Sequence, residues 1–292
     1  DRHFVGSREI DLPRHLVVEN ISNFYDLFAE RSVSDRVSLS LVLPFVASQR
    51  RAAYEHDDIH RYATHANGLA DIRLTAYAWL FKPETSERGN LRIGVGLKLP
   101  TGDYDAQDNF HSKTGVVRRA VDQSIQPGDG GYGVTLEASG FAELASHLRA
   151  YIGGFYLLNP EEENGVLTDV AGDNPYFRTM SITDQYMARA GLICHADPQK
   201  SLSAGLGVRV EGVPATDLVG GNEGFRRPGY TVSIEPGISI SWGSWDAAFA
   251  IPVAIYRNRV PDLTGTWEGR GRSPGDASFA DYMITASIVH YL

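Results

Sequence analysis

Apolar and polar residues alternate strictly along much of this chain. Val37, Leu39, Leu41, Leu43 and Phe45 alternate with Ser38, Ser40, Val42 and Pro44. Ile72, Leu74, Ala76, Ala78 and Leu80 alternate with Asp71, Arg73, Thr75, Tyr77 and Trp79. The pattern returns at Leu91–Leu99, Leu202–Val210 and Tyr230–Trp242. Period two over about ten residues predicts a strand with one apolar and one polar face. Weaker segments near 15–29, 132–142, 147–158, 179–194, 246–257 and 279–292 bring the expectation to about eleven strands. Helical periodicity is nearly absent, and only Tyr54–Tyr62 reads as a short helix.

The predicted connections alternate in length. Short ones fall at Arg31–Asp35, Pro83–Gly89, Glu143–Ser146, Ala196–Lys200 and Gly243–Trp245. Long ones fall near 47–68, 101–131, 159–178, 214–227 and 258–276 and hold most of the Asp, Asn, Gly and Pro. Tight turns at one end and long polar loops at the other are the layout of an up-and-down transmembrane β-barrel with extracellular loops. A soluble sandwich also alternates, but three features favour the barrel. The strands are long enough to cross a bilayer at a tilt. Charged residues sit mid-strand opposite apolar stripes. Aromatics (Trp79, Phe81, Tyr104, Tyr156, Tyr230, Trp242, Tyr256, Tyr291) fall near strand ends, where interfacial girdles place them.

An odd strand count conflicts with closure, because unpaired backbone groups have no partner in hydrocarbon and single-chain bacterial barrels have even numbers. If Arg31–Asp35 is a periplasmic turn, the first visible strand runs downward. The expectation is one all-β domain over 1–292, an antiparallel barrel of about twelve strands when complete, whose first strand precedes Asp1. The chain would then be processed from a secreted precursor.

Composition adjusts this picture. The 292 residues carry a net charge of −9, which argues against nucleic acid as a partner. One Cys excludes an intramolecular disulfide framework and multi-cysteine zinc sites. The longest apolar run, Ala247–Tyr256, is interrupted by Pro252, so no helix spans a membrane. The mean hydropathy of −0.23 looks soluble, yet alternation halves the hydropathy of a barrel strand and long loops dilute it further.

Several segments carry a resemblance. They are Asp1-Arg2-His3-Phe4-Val5-Gly6, Leu43-Pro44-Phe45, Gly68-Leu69-Ala70-Asp71-Ile72, Leu97-Lys98-Leu99-Pro100-Thr101-Gly102-Asp103-Tyr104, Asn174-Pro175-Tyr176 and Ile182-Thr183-Asp184-Gln185-Tyr186. Patchily along the whole chain, the sequence resembles outer-membrane β-barrels assigned to transport in phenol degradation (the meta-cleavage pathway). The resemblance implies a transporter in the outer membrane of a Gram-negative bacterium. In that family the Arg-His-Phe-Val-Gly stretch usually follows a first strand. Such barrels usually end on an aromatic residue, whereas here Leu292 follows Tyr291.

The expected lumen lining consists of Asp71, Arg73, Arg92, Lys98, Glu137, Arg149, Arg189, Arg209, Glu211 and Glu235, a mixed set of charges that selects solutes by size and charge. These residues can instead pair with one another and fill a narrow barrel. The segment Glu55–His65 is the densest titratable cluster. On a helix His56 and His60 would share a face and, with His65, give a weak metal site. Elsewhere no nucleophile–base pair is visible, so no enzyme activity and no cofactor are expected. Cys194 reads as a small lipid-facing residue. The expected partners are membrane lipid and lipopolysaccharide, a small, aromatic or hydrophobic solute, and envelope proteins. The expected function is a channel or transporter. The alternative is a non-conducting structural or anchoring barrel within an envelope complex.

Overall fold

The computed structural model describes residues 2–168, 179–197, 199, 201–261, 276–278 and 280–292. Within them the strands are β1 His3–Val5, β2 Arg8–Ile10, β3 Glu19–Ser32, β4 Val37–Ala52, β5 Tyr62–Leu69, β6 Ile72–Trp79, β7 Gly89–Leu99, β8 Gln107–Ser112, β9 Gly115–Ala120 and β10 Gly133–Ala145. They continue as β11 Leu148–Leu158, β12 Glu163–Leu167, β13 Thr179–Ser181, β14 Gln185–His195, β15 Leu202–Val213, β16 Gly229–Trp242, β17 Trp245–Ala250, β18 Val253–Arg259, β19 Asp276–Ser278 and β20 Thr285–His290.

One antiparallel sheet carries the fold. Its strands follow the order β20-β17-β16-β15-β14-β11-β10-β7-β6-β4-β3, with β18 paired to β16 and β5 to β4. This is the expected set of about eleven spans, each joined to its sequence neighbour. The sheet curves toward its polar face, since side chains three strands apart meet there: Glu30 on β3 accepts a hydrogen bond from Arg92 on β7.

The burial pattern is inverted relative to a soluble protein. On the outer face Ile93, Val95, Leu97, Leu136, Ile152, Leu206 and Ile238 stand exposed. On the inner face Ser48, Thr75, Lys98, Thr135, Ser233 and Glu235 are buried. A water-soluble sheet turns its apolar side inward; a membrane barrel turns it toward lipid. Aromatic pairs mark both rims of the apolar band. Trp242 stacks on Trp245 at a short turn, while Tyr156–Tyr186 and Tyr230–Tyr256 pair at the long-loop end. From Tyr230 to Trp242 along β16, a rise of about 3.3 Å per residue tilted by about 45° gives a height of about 28 Å, close to a hydrocarbon core. Cys194 is exposed, and Leu148, its register partner on β11, shares the outer face. Trp79 departs from the girdle: it stands in register with Arg92 on the inner face, and the Arg92 guanidinium lies 5.7 Å from its ring.

Three further expectations need correction. Residues 54–62 form no helix. β4 continues to Ala52, which pairs with Tyr62 of β5, so the segment is a hairpin tip. The Asp57 carboxylate accepts the Ile59 and His60 N–H groups, holding a turn that competes with helix. The long loops are also partly built: the 47–68 loop is mostly the β4–β5 hairpin, and the 101–131 loop contains the β8–β9 hairpin. The 246–257 strand divides at Ile251–Pro252, where proline cannot donate to the ladder. Parts of the 159–178 and 258–276 loops, and Asn174-Pro175-Tyr176, lie outside the described residues.

Residues 3–10 add no barrel strand. β1 and β2 form a hairpin that joins β19 in a separate three-stranded sheet. Among the described residues the main sheet has two free edges, β3 and β20. Glu30 of β3 lies within electrostatic reach of Tyr291, just past β20, so the two edges approach each other.

Candidate functional site: the lumen and its mouth

Alternation turns every second residue inward, and the inner face holds the ten charged candidates. Three groups form. In the first, the Glu137 carboxylate accepts hydrogen bonds from Tyr77 Oη at 2.6 Å and from the Thr75 and Thr135 hydroxyls at 3.2 Å. The Tyr77 ring lies over Gly94, where an added Cβ would come within 2.6 Å of it. Arg92 caps the same ring at 3.6 Å and pairs with Glu30.

The second group is on β14–β16. Arg189 and Arg209 stand directly opposite each other in register. Both reach Glu235, at 3.3 and 3.7 Å, and Arg209 also pairs with Glu211 at 2.6 Å. Like charges directly opposite repel, and the nearly buried Glu235 carboxylate offsets that repulsion. The Tyr151 ring lies across Gly191 and Gly207, which have no side chain to displace it. The third group is at the long-loop end, where Lys98 pairs with Asp129 and with Asp71 at 3.7 Å. Of the remainder, Arg73 reaches Asp26 at 3.4 Å. Arg149 pairs with Glu143 at 2.6 Å near a short turn. Each candidate therefore has a partner.

The mouth contains residues that the alternation pattern misses. Asp122, which precedes a turn at Gln123–Ile125, receives two hydrogen bonds from Arg227, at 2.8 and 2.6 Å. Arg50 of β4 reaches the same carboxylate at 3.7 Å and pairs with Glu55 at 2.7 Å. Tyr54 Oη accepts from Arg50 at 2.6 Å. Burial pushes the Tyr54 hydroxyl up to about 12, and the two guanidinium groups hold Asp122 well below the usual carboxylate range against its own desolvation. A second brace is buried: Arg226 forks onto Asp217 at 3.1 and 2.8 Å. Asp184 accepts from the Asn159 and Leu218 N–H groups at 2.7 and 2.9 Å. Asn164 Nδ2 reaches the Asp129 carbonyl. The connections before β10, β14 and β16 are thus cross-braced into one cap.

The β1–β2 hairpin joins this cap. Phe4 is buried with the Arg257 guanidinium 5.1 Å from its ring. Arg257 is in register with Thr231 on the lumen face, and the Arg259 N–H donates to the Gly6 carbonyl at 2.9 Å. The hairpin therefore covers the lumen side of β18.

The histidines do not converge. His60 Nδ1 meets Asp57 at 2.7 Å and His65 Nδ1 lies 3.5 Å from Asp108. His56 Nδ1 accepts from the His111 N–H at 3.0 Å. Among the described residues no three His, Cys, Asp or Glu side chains are placed to hold a metal ion.

Comparison with known proteins agrees with this geometry. Residues 14–138 match the family described as "Putative MetA-pathway of phenol degradation". No curated protein matches the chain. A crystal structure of an outer-membrane channel from Pseudomonas putida F1 matches 99% of this chain and 90% of its own, at 13% identity and a TM-score of 0.60. The chain shares the β-barrel fold of that outer-membrane protein. The resemblance read from the sequence is matched by both the family and the fold.

Proposed function

We propose that this chain forms a passive channel for small solutes in the outer membrane of a Gram-negative bacterium. The observation that carries the proposal is the inverted sheet: an exposed apolar belt around a lumen of buried, mutually paired charges. Such a wall is stable only where lipid replaces water outside. The channel described from P. putida shares the fold. Solutes would enter through the braced mouth and pass the Glu137 and Glu235 groups, whose mixed charges discriminate by size and polarity. The family description names phenol degradation, which favours small aromatic compounds. Full pairing of the lumen charges favours the second reading, a closed anchoring barrel. Conductance of the purified protein in planar bilayers separates the two.

A further inference from the structure

On the inner face of the sheet Asp26, Glu30, Glu143, Glu211 and Glu235 each pair with an arginine. Two further carboxylates of that face have, among the described residues, hydroxyl partners in place of a cation. Glu137 on β10 accepts from Tyr77 Oη at 2.6 Å and from the Thr75 and Thr135 hydroxyls at 3.2 Å. Asp246, the second residue of β17, accepts from Tyr291 Oη at 2.8 Å. Asp246 faces the lumen because it stands in register with Ser241, between the exposed, outward Ile240 and Trp242 of β16. Both groups are paired in hydrogen bonds but not in charge.

The local backbone explains the first group. Gly94 and Gly96 of β7 clear a notch between β6 and β10. Thr75 and Thr135 flank Gly96 in register, and Tyr77 and Glu137 flank Gly94. An added Cβ at Gly96 would collide with both threonine hydroxyls. Four side chains therefore turn oxygen atoms into one notch in the wall. Oxygen donors suit hard cations, and a hydroxyl can turn a lone pair toward one. Arg92 stacks on the Tyr77 ring at 3.6 Å and is committed to Glu30. The two carboxylates lie at different depths. Glu137 stands about 19 Å above the Ala145 end of β10, at a rise of about 3.3 Å per residue and a tilt of about 45°. Asp246 lies at the short-turn end of the wall, beside the Trp242–Trp245 pair.

We propose that Glu137 and Asp246 make the lumen selective for small monovalent cations. Glu137 with its three hydroxyls is the inner step and Asp246 is the exit step. A mobile cation supplies at each the charge that no arginine supplies. A cleft with low-dielectric walls focuses the field of such a carboxylate and raises the local concentration of counter-ions. An anion meets arginines that carboxylates already hold. The inference deepens the channel reading and rests on it.

The test is the reversal potential of the purified barrel in a planar bilayer across a potassium chloride gradient. The unsubstituted barrel passes potassium in preference to chloride. Glu137→Gln keeps the shape of the side chain and removes its charge, and Asp246→Asn does the same at the exit. Each lowers the potassium-to-chloride permeability ratio by about ten-fold, the low end of the concentration that a charged cleft supplies, and the double variant has no cation preference. Glu84→Gln removes an exposed charge at a short turn, outside the lumen, and leaves the ratio unchanged. Folding is read on a heat-modifiability gel. If Glu137→Gln fails to fold, Asp246→Asn, which loses contact with one hydroxyl only, decides the matter. Chloride preference in the unsubstituted barrel, an unchanged ratio in the folded variants, or an equal fall in Glu84→Gln overturns the proposal and leaves the channel reading standing. A folded barrel that passes no current overturns both.

Discussion

Arg227 grips Asp122 through two hydrogen bonds, joining segments 105 residues apart in the chain. The contact ties the loop before β16 to the loop before β10, and Arg50 adds β4 to the same carboxylate. Three distant parts of the wall therefore meet above the lumen.

Breaking this contact loosens the mouth rather than the barrel. Removing one partner of a buried pair costs about 3–5 kcal/mol, and the partial exposure of Arg227 places Asp122→Ala near the lower value. The variant is expected to keep its heat-modifiable barrel, lose protease resistance in the 101–131 and 214–227 loops, and show larger or noisier current steps. An unchanged cleavage pattern would contradict the cap.

The same pair sets a pH response. Asp122 titrates below its ordinary value, so its contribution is fully present above about pH 4, the unfolded carboxylate value, and is lost as pH falls toward the folded one. Loop protection is expected to be flat from about pH 8 to 5 and to fall only in stronger acid. His56 behaves similarly at a higher window: burial, chiefly, and the nearby His111 and Arg119 lower it, against Asp57 and Asp108. The packing of the β4–β5 tip on His111 is expected to hold at neutral pH and to weaken as pH falls through the lowered His56 value, as protonation places a donor against the His111 N–H. The Tyr62 ring packs 5.2 Å from the His56 ring. Titrations at several pH values check both windows.

Glu235 is shared between two arginines. Glu235→Gln leaves Arg189 and Arg209 facing the lumen with one fewer counter-charge. Reversal potentials across a salt gradient are expected to shift toward anion selectivity. Arg209→Gln is expected to shift them the other way. If neither moves the reversal potential, the permeation path does not pass this group.

The outer face makes a thermodynamic prediction. Val95→Arg places a charge on the exposed apolar belt and is expected to destabilise the barrel in phospholipid vesicles by about 2–4 kcal/mol if it lies near the midplane. The measurement is a urea unfolding titration. Gly153→Ala on the inner face, where an added Cβ meets the Arg189 side chain no closer than 3.4 Å, is expected to change stability by less than about 1 kcal/mol.

Much of the wall was legible because a pleated strand has an invariant period of two. Leu91–Leu99 and Tyr230–Trp242 therefore declared both their faces and their length. The face on which the charged candidates stand was legible for the same reason: Arg73, Arg92 and Arg209 had to lie opposite Leu74, Ile93 and Val208. The cap was not legible. Asp122, Arg226, Arg227, Asp184 and Asp217 sit in irregular segments without a period, and their partners are tens of residues away. Tyr54–Tyr62 misled because Asp57 favours a local turn over the helix that His56 and His60 suggested. Pro252 was visible as a break, but that β17 and β18 both pair with β16 depends on tertiary register.

Planar-bilayer recording of the folded, purified protein tests most directly whether a polar lumen within an apolar belt conducts. Discrete, ion-selective current steps that change in selectivity with Glu235→Gln are the expected result. A folded barrel that inserts and passes no current would contradict the account and leave the anchoring role in its place.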